Sequence, residues 1–93
     1  MPERFEIIFT PHFSNSAFRM AVDILLRNEE LIRFKVHAAG KYLIMDRYLL
    51  LTPEPWKLRE SNINFKAGGV KKSTYTLFEI QQRLDEWLAK DQS

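Results

Sequence analysis

The sequence predicts an α+β fold: an antiparallel sheet of four to five strands with two helices packed on one face, in the order β-α-β-β-β-β-α. Three observations lead there. Apolar and polar residues alternate through Leu31–Ala38, as a half-buried strand requires. Broad apolar stripes at helical spacing follow Ser16 and Thr76. Gly, Pro and Asn punctuate the segments between them.

Phe5-Glu-Ile-Ile-Phe9 sets Phe5, Ile7 and Phe9 on one face of a strand over about 4–10. Pro11 ends it, having no N–H to give the ladder. Ser14, Asn15 and Ser16 are N-cap candidates for a helix to about Asn28, a residue that tolerates the left-handed conformation at helix ends. Ala17, Ala21, Ile24 and Leu25, with Phe18 and Val22 beside them, form its stripe. In Leu31–Ala38, Ile32, Phe34, Val36 and Ala38 point one way and Arg33, Lys35 and His37 the other. Ala39-Gly40 predicts a tight turn into a strand Lys41–Met45. Asp46-Arg47 reads as a second turn into Tyr48–Thr52; one strand through 41–52 is the alternative, and it would bury Asp46 or Arg47 mid-sheet. Ser61–Lys66 alternates again, with Ile63 and Phe65 inward and Asn62, Asn64 and Lys66 outward, until Gly68-Gly69 breaks the chain. Thr76-Leu-Phe-Glu79 has the form of a capping box, and Leu77, Ile80, Leu84 and Leu88, with Trp87 alongside, continue as a helix to about Lys90.

The stretch Tyr48–Trp56, YLLLTPEPW, is unusual because an alternating strand needs only every second residue apolar. Leu49, Leu50 and Leu51 therefore predict a strand covered on both faces, on one side by another chain, a loop or a helix tip. Trp56, in a loop stiffened by Pro53 and Pro55, reads either as a lid on the core or as an anchor for a partner.

The 93 residues fit one domain, 1–93, and 45% apolar with 28% charged residues is an ordinary globular composition. The longest apolar runs are four residues, so no membrane span is expected. The charged MPERFE start predicts no signal peptide, and the absence of cysteine excludes disulfides and thiolate zinc sites. A cytoplasmic protein is the expectation.

Charge is unevenly spread. Residues 33–72 carry nine basic and three acidic side chains, whereas residues 1–32 and 73–93 are each net acidic. On the expected layout Arg33, Lys35, His37, Lys41 and Lys66 stud one face of the sheet, with Lys71 and Lys72 following. Such a face suits the phosphate backbone of DNA or RNA. The reading is therefore a small non-catalytic binding or regulatory protein that contacts nucleic acid through a basic sheet face. The alternative is a protein-interaction module, a homodimer or an adaptor, using the Leu49–Leu51 strand and Trp56.

Chemistry is weakly signalled. Ala67–Thr74 holds glycines, lysines and hydroxyls but lacks the GxxxxGK[ST] spacing of a phosphate loop. A two-histidine ribonuclease would need His12, His37 and Lys41 to converge, which nothing in their spacing requires. Glu29-Glu30 and Asp85-Glu86 are sequence neighbours that diverge on a helix, and no cluster has metal-ligand spacing. Neither an enzyme nor a cofactor is expected.

Overall fold

The computed structural model describes residues 4–10, 15–62 and 70–91, without the side chains of 70–75 and 91. Among the described residues five strands, β1 (Arg4–Phe9), β2 (Phe18–Arg27), β3 (Leu31–Ala38), β4 (Lys41–Tyr48) and β5 (Trp56–Ser61), precede one helix, α1 (Val70–Asp91). The strands lie in the sheet in their order along the chain, and β2 through β5 pair antiparallel. The α+β class holds, but the element order does not: five strands and then one helix replace β-α-β-β-β-β-α. By contact the chain divides into two compact units, Met1–Glu6 with Met20–Ile63, and Ile7–Arg19 with Asn64–Ser93.

The helix expected before Asn28 is strand β2. Ala, Met, Leu and Arg favour helix locally, but Phe18, Met20, Val22 and Ile24 also recur every second residue, and pairing with β3 selects that period. Asn28 ends no helix; it builds a hairpin. Its Oδ1 accepts from the N–H groups of Glu30 at 2.8 Å and Leu31 at 2.9 Å, and its own N–H reaches the Leu31 carbonyl at 3.1 Å. Ala39-Gly40 is the tight turn expected: φ is 53° and 79°, the primed geometry that matches strand twist.

The first unit is built on β3, flanked by β2 and β4. Ile32, Phe34 and Val36 face the same way as Val22, Leu43 and Met45, and all six are at most 1% exposed. Each contributes roughly 1.5–3 kcal/mol by leaving water. Phe5 meets the Phe34 ring edge-on at 6.4 Å, and Trp56 lies tilted against it at 6.0 Å.

Three boundaries differ from expectation. Asp46-Arg47 is no turn; β4 runs unbroken to Tyr48, because a two-residue turn there would put Arg47 where glycine is favoured and because buried Asp46 finds charged partners. Leu49–Leu51 is not a two-faced strand but part of a surface loop, with Leu51 fully exposed. The fifth strand described is Trp56–Ser61, and Ile63, Asn64, Phe65 and Lys66 lie outside the described residues.

In the second unit, Ile80, Leu84 and Leu88 form a buried stripe at spacing four on α1. Arg83 bridges to Glu86 at 3.2 Å and approaches Glu79 at 3.9 Å, and Lys90 complements the helix dipole in the last turn. The capping box is displaced: α1 starts at Val70, so Thr76 and Glu79 are interior. Nothing between Gly69 and Thr76 breaks a helix, and propagation from Val70 adds a hydrogen bond per residue. No helix of the described residues is long and apolar enough to cross a membrane.

Candidate nucleic-acid interface

The face of the sheet opposite the Phe34 core is polar and charged. Cross-strand register sets Asp23 opposite Lys35, His37 opposite Tyr42, Arg33 opposite Asp46 and Asp46 opposite Lys57. Most of these charges are answered from within. Arg33 Nε donates to Asp46 Oδ1 at 2.8 Å, and Arg59 Nη1 donates to Oδ2 at 3.0 Å. Burial alone would push the Asp46 carboxyl up; the two guanidinium groups outweigh it and hold the carboxyl below its ordinary value of 3.8. The same pair raises Arg33.

A bulge makes this arrangement fit. Ile44 pairs with Glu60 but Met45 with Leu58, so Arg59 is an extra residue on β5. With Arg59 reaching Asp46 and Glu60 opposite Ile44, two successive side chains occupy the polar face, and Glu60 is kept from the core face. Glu60 accepts from the Tyr42 hydroxyl at 3.1 Å, which with burial pushes that hydroxyl up.

A second anion, Asp23, is held by Arg4 at 2.6 Å, which draws its carboxyl down. Because that carboxylate is ionised and can only accept, His37 Nε2–H donates to Asp23 Oδ2 at 3.0 Å, fixing the ring.

At the β3–β4 hairpin the balance changes. Lys35, His37, Gly40, Lys41 and Tyr42 line an open hollow of about 200 Å³. The Lys35 ammonium lies 5.3 Å from the centre of the Tyr42 ring, a cation–π contact that leaves its charge intact. Lys41 is exposed beside the turn and joins no ion pair among the described residues. Asn62 latches this hairpin: its Oδ1 accepts from Tyr42 N–H at 2.6 Å and its Nδ2 donates to the Gly40 carbonyl at 3.0 Å.

Of the residues expected to contact nucleic acid, the structure therefore gathers Lys35, His37 and Lys41 and places Arg33 apart, bound to Asp46. Lys66 lies outside the described residues; Lys71 and Lys72 start α1 in the second unit, their side chains undescribed. His12 also lies outside the described residues. The Ala67–Thr74 stretch departs from a phosphate loop in its spacing, and of it only the backbone from Val70, where α1 begins, lies within the described residues. Tyr42, Asp23 and Arg59 lie outside the expected set of site residues, and the sheet brings them to this face. For Asp46 the sequence offers a signal: an acid at the centre of an apolar-flanked segment, with Arg33 and Arg59 on either side, suits a shared counter-ion.

Trp56 opens β5 with its ring half-buried against Phe34, and the Arg47 guanidinium lies 5.7 Å from the ring centre. No group of three or more His, Asp or Glu among the described residues is placed to hold a metal. Comparison with protein-family models, with curated proteins and with solved structures finds no match.

Proposed function

We propose that this protein binds nucleic acid through the phosphate backbone, and that the contact is the β3–β4 hairpin rather than the whole sheet face. The observation that supports this reading is the convergence of Lys35 and Lys41 on one hollow beside the Tyr42 ring, two ammonium groups that no carboxylate pairs among the described residues, with His37 beside them tied to Asp23. Two ammonium groups can neutralise phosphates while a tyrosine offers an aromatic surface to a base, a combination tolerant of sequence. Elsewhere on the face, Arg33, Arg59 and Arg4 are committed to Asp46 and Asp23, and Lys57 is a further exposed cation at the far end of the strands. The footprint is therefore small, about two to three phosphates.

Fluorescence anisotropy with a labelled single-stranded oligonucleotide tests it. Three neutralised phosphates on a single strand give a slope of log affinity against log salt near −2. Replacing both Lys35 and Lys41 with glutamate abolishes binding without changing the fold. Absence of binding at low salt, or binding that survives the double replacement, refutes the reading.

A further inference from the structure

Lysines and a tyrosine by themselves accept any base, but a third group stands beside them. Glu60 is exposed, accepts from the Tyr42 hydroxyl at 3.1 Å, and joins no ion pair among the described residues. Its position follows from the register. Ile44 lies between Lys35 on β3 and Glu60 on β5, and Tyr42, two residues nearer the turn on the same face, lies opposite His37. Tyr42 therefore has a cation diagonally across one neighbouring strand and an anion diagonally across the other. Both contacts are made: the Lys35 ammonium lies 5.3 Å from the ring centre, and Glu60 holds the hydroxyl. The extra residue Arg59 is what brings Glu60 to this face.

A carboxylate in the same row as Lys35 works against phosphate binding, since like charges repel. Of the two carboxylates beside the hollow, Asp23 is answered by Arg4 and His37, and Glu60 is left without a cation. The Asn62 amide is spent on the hairpin, its oxygen on the Tyr42 N–H and its nitrogen on the Gly40 carbonyl. Glu60 thus keeps charged acceptor capacity toward a ligand. Tyr42 orients Oε1, and Oε2 stays open to a second and third donor.

The Watson–Crick edges of the bases sort sharply against such a group. Guanine shows two adjacent donors, N1–H and N2–H₂, which fit the two oxygens of one carboxylate. Adenine and cytosine each show one amino donor beside a ring-nitrogen acceptor, and thymine or uracil one N–H between two carbonyls. Each of these sets at least one acceptor against the carboxylate.

We infer that Glu60 makes the hairpin a reader of unpaired guanine: the base stacks on the Tyr42 ring, its N1–H and N2–H₂ donate to Glu60, and the flanking phosphates meet Lys35 and Lys41. This rests on the nucleic-acid reading of the hairpin and adds the base that it prefers. A duplex does not present that edge, which its partner base occupies.

Competition anisotropy on the full chain tests it. A labelled thymine strand is displaced at low salt by unlabelled trinucleotides with thymine flanks that differ only in the central base. A central guanine is expected to compete at least about fivefold better than adenine, cytosine or thymine. Inosine, which keeps N1–H and lacks the N2 amino group, loses most of that advantage without any change to the protein. Glu60→Gln keeps an oxygen for the Tyr42 hydroxyl and removes the charge. It is expected to cut the guanine preference below about twofold while thymine competes no worse. Equal competition by all four bases, inosine matching guanine, or a guanine preference that survives Glu60→Gln overturns this inference and leaves the phosphate contact standing. A labelled strand that does not bind at all removes the phosphate contact and this inference together.

Discussion

Replacing Asp46 with asparagine keeps the side chain's shape and removes only its charge, so it isolates what the buried carboxylate does. In the folded protein three guanidinium contacts reach it, at 2.8 and 3.4 Å from Arg33 and 3.0 Å from Arg59, and the side chain is fully shielded from water. An amide offers one acceptor oxygen and turns an N–H₂ toward a guanidinium that also donates. Breaking a buried pair by removing one partner ordinarily costs about 3–5 kcal/mol. Here the arginine side chains are 28% and 45% exposed, so both regain part of their hydration. The expected loss is about 2–3 kcal/mol, or roughly 10–20 °C in melting temperature for a domain of this size. Urea unfolding followed by Trp fluorescence and circular dichroism reads it. The same variant releases Arg33 and Arg59 onto the polar face, so single-stranded DNA should bind with a salt slope steeper by about 0.7–1.4. Lower stability with stronger nucleic-acid binding is a combination that general unfolding does not produce. A stability change under about 0.5 kcal/mol would sink the account of the buried carboxylate.

Acid should act through Asp46 and Asp23. Both carboxyls lie below 3.8 in the folded protein, so the stability they add is complete above that value and is lost as pH falls through their lowered values. Urea midpoints measured from pH 6 down to pH 2 should fall mainly below about pH 4, and more shallowly in the Asp46→Asn variant. At the β3–β4 turn, Ala39→Gly relieves a left-handed alanine worth about 1–2 kcal/mol and returns about 0.5–1 kcal/mol in backbone freedom, for a net gain near 0.5 kcal/mol. Gly40→Ala has the opposite sign: a Cβ there meets nothing, so the cost is conformational alone, about 1–2 kcal/mol by chemical unfolding. Asn62→Ala should speed hydrogen exchange at the Tyr42 amide selectively and lower stability by about 1 kcal/mol. Unchanged exchange at Tyr42 would show that the latch is not held in solution.

The sequence carried the parts of the fold that one period decides. Leu31–Ala38 is the predicted strand residue for residue, and Ala39-Gly40 is the predicted turn. Phe18–Arg27 failed because two periods are superimposed there, and only pairing with β3 chooses between them. Asp46 failed for a different reason. Hydrophobic patterning treats an acid as a surface or turn residue, yet Arg33 is thirteen residues before it and Arg59 thirteen after, and only the sheet brings them together. The candidate site was legible as residue types: Lys35, His37 and Lys41 follow from alternation and a turn. That Arg33 is neutralised in place could not be read without the register.

Because each strand of the meander lies beside its neighbour in the chain, no pairing from β2 to β5 waits on a distant segment. Closing a two-residue turn or the seven residues between β4 and β5 costs little entropy, and that cost grows only slowly with added length. The sheet can therefore assemble one hairpin at a time, outward from Ala39-Gly40, at rates nearer those of local structure than of interleaved β folds. Extra residues spliced in at Thr52 would lengthen one closure and leave every other pairing untouched.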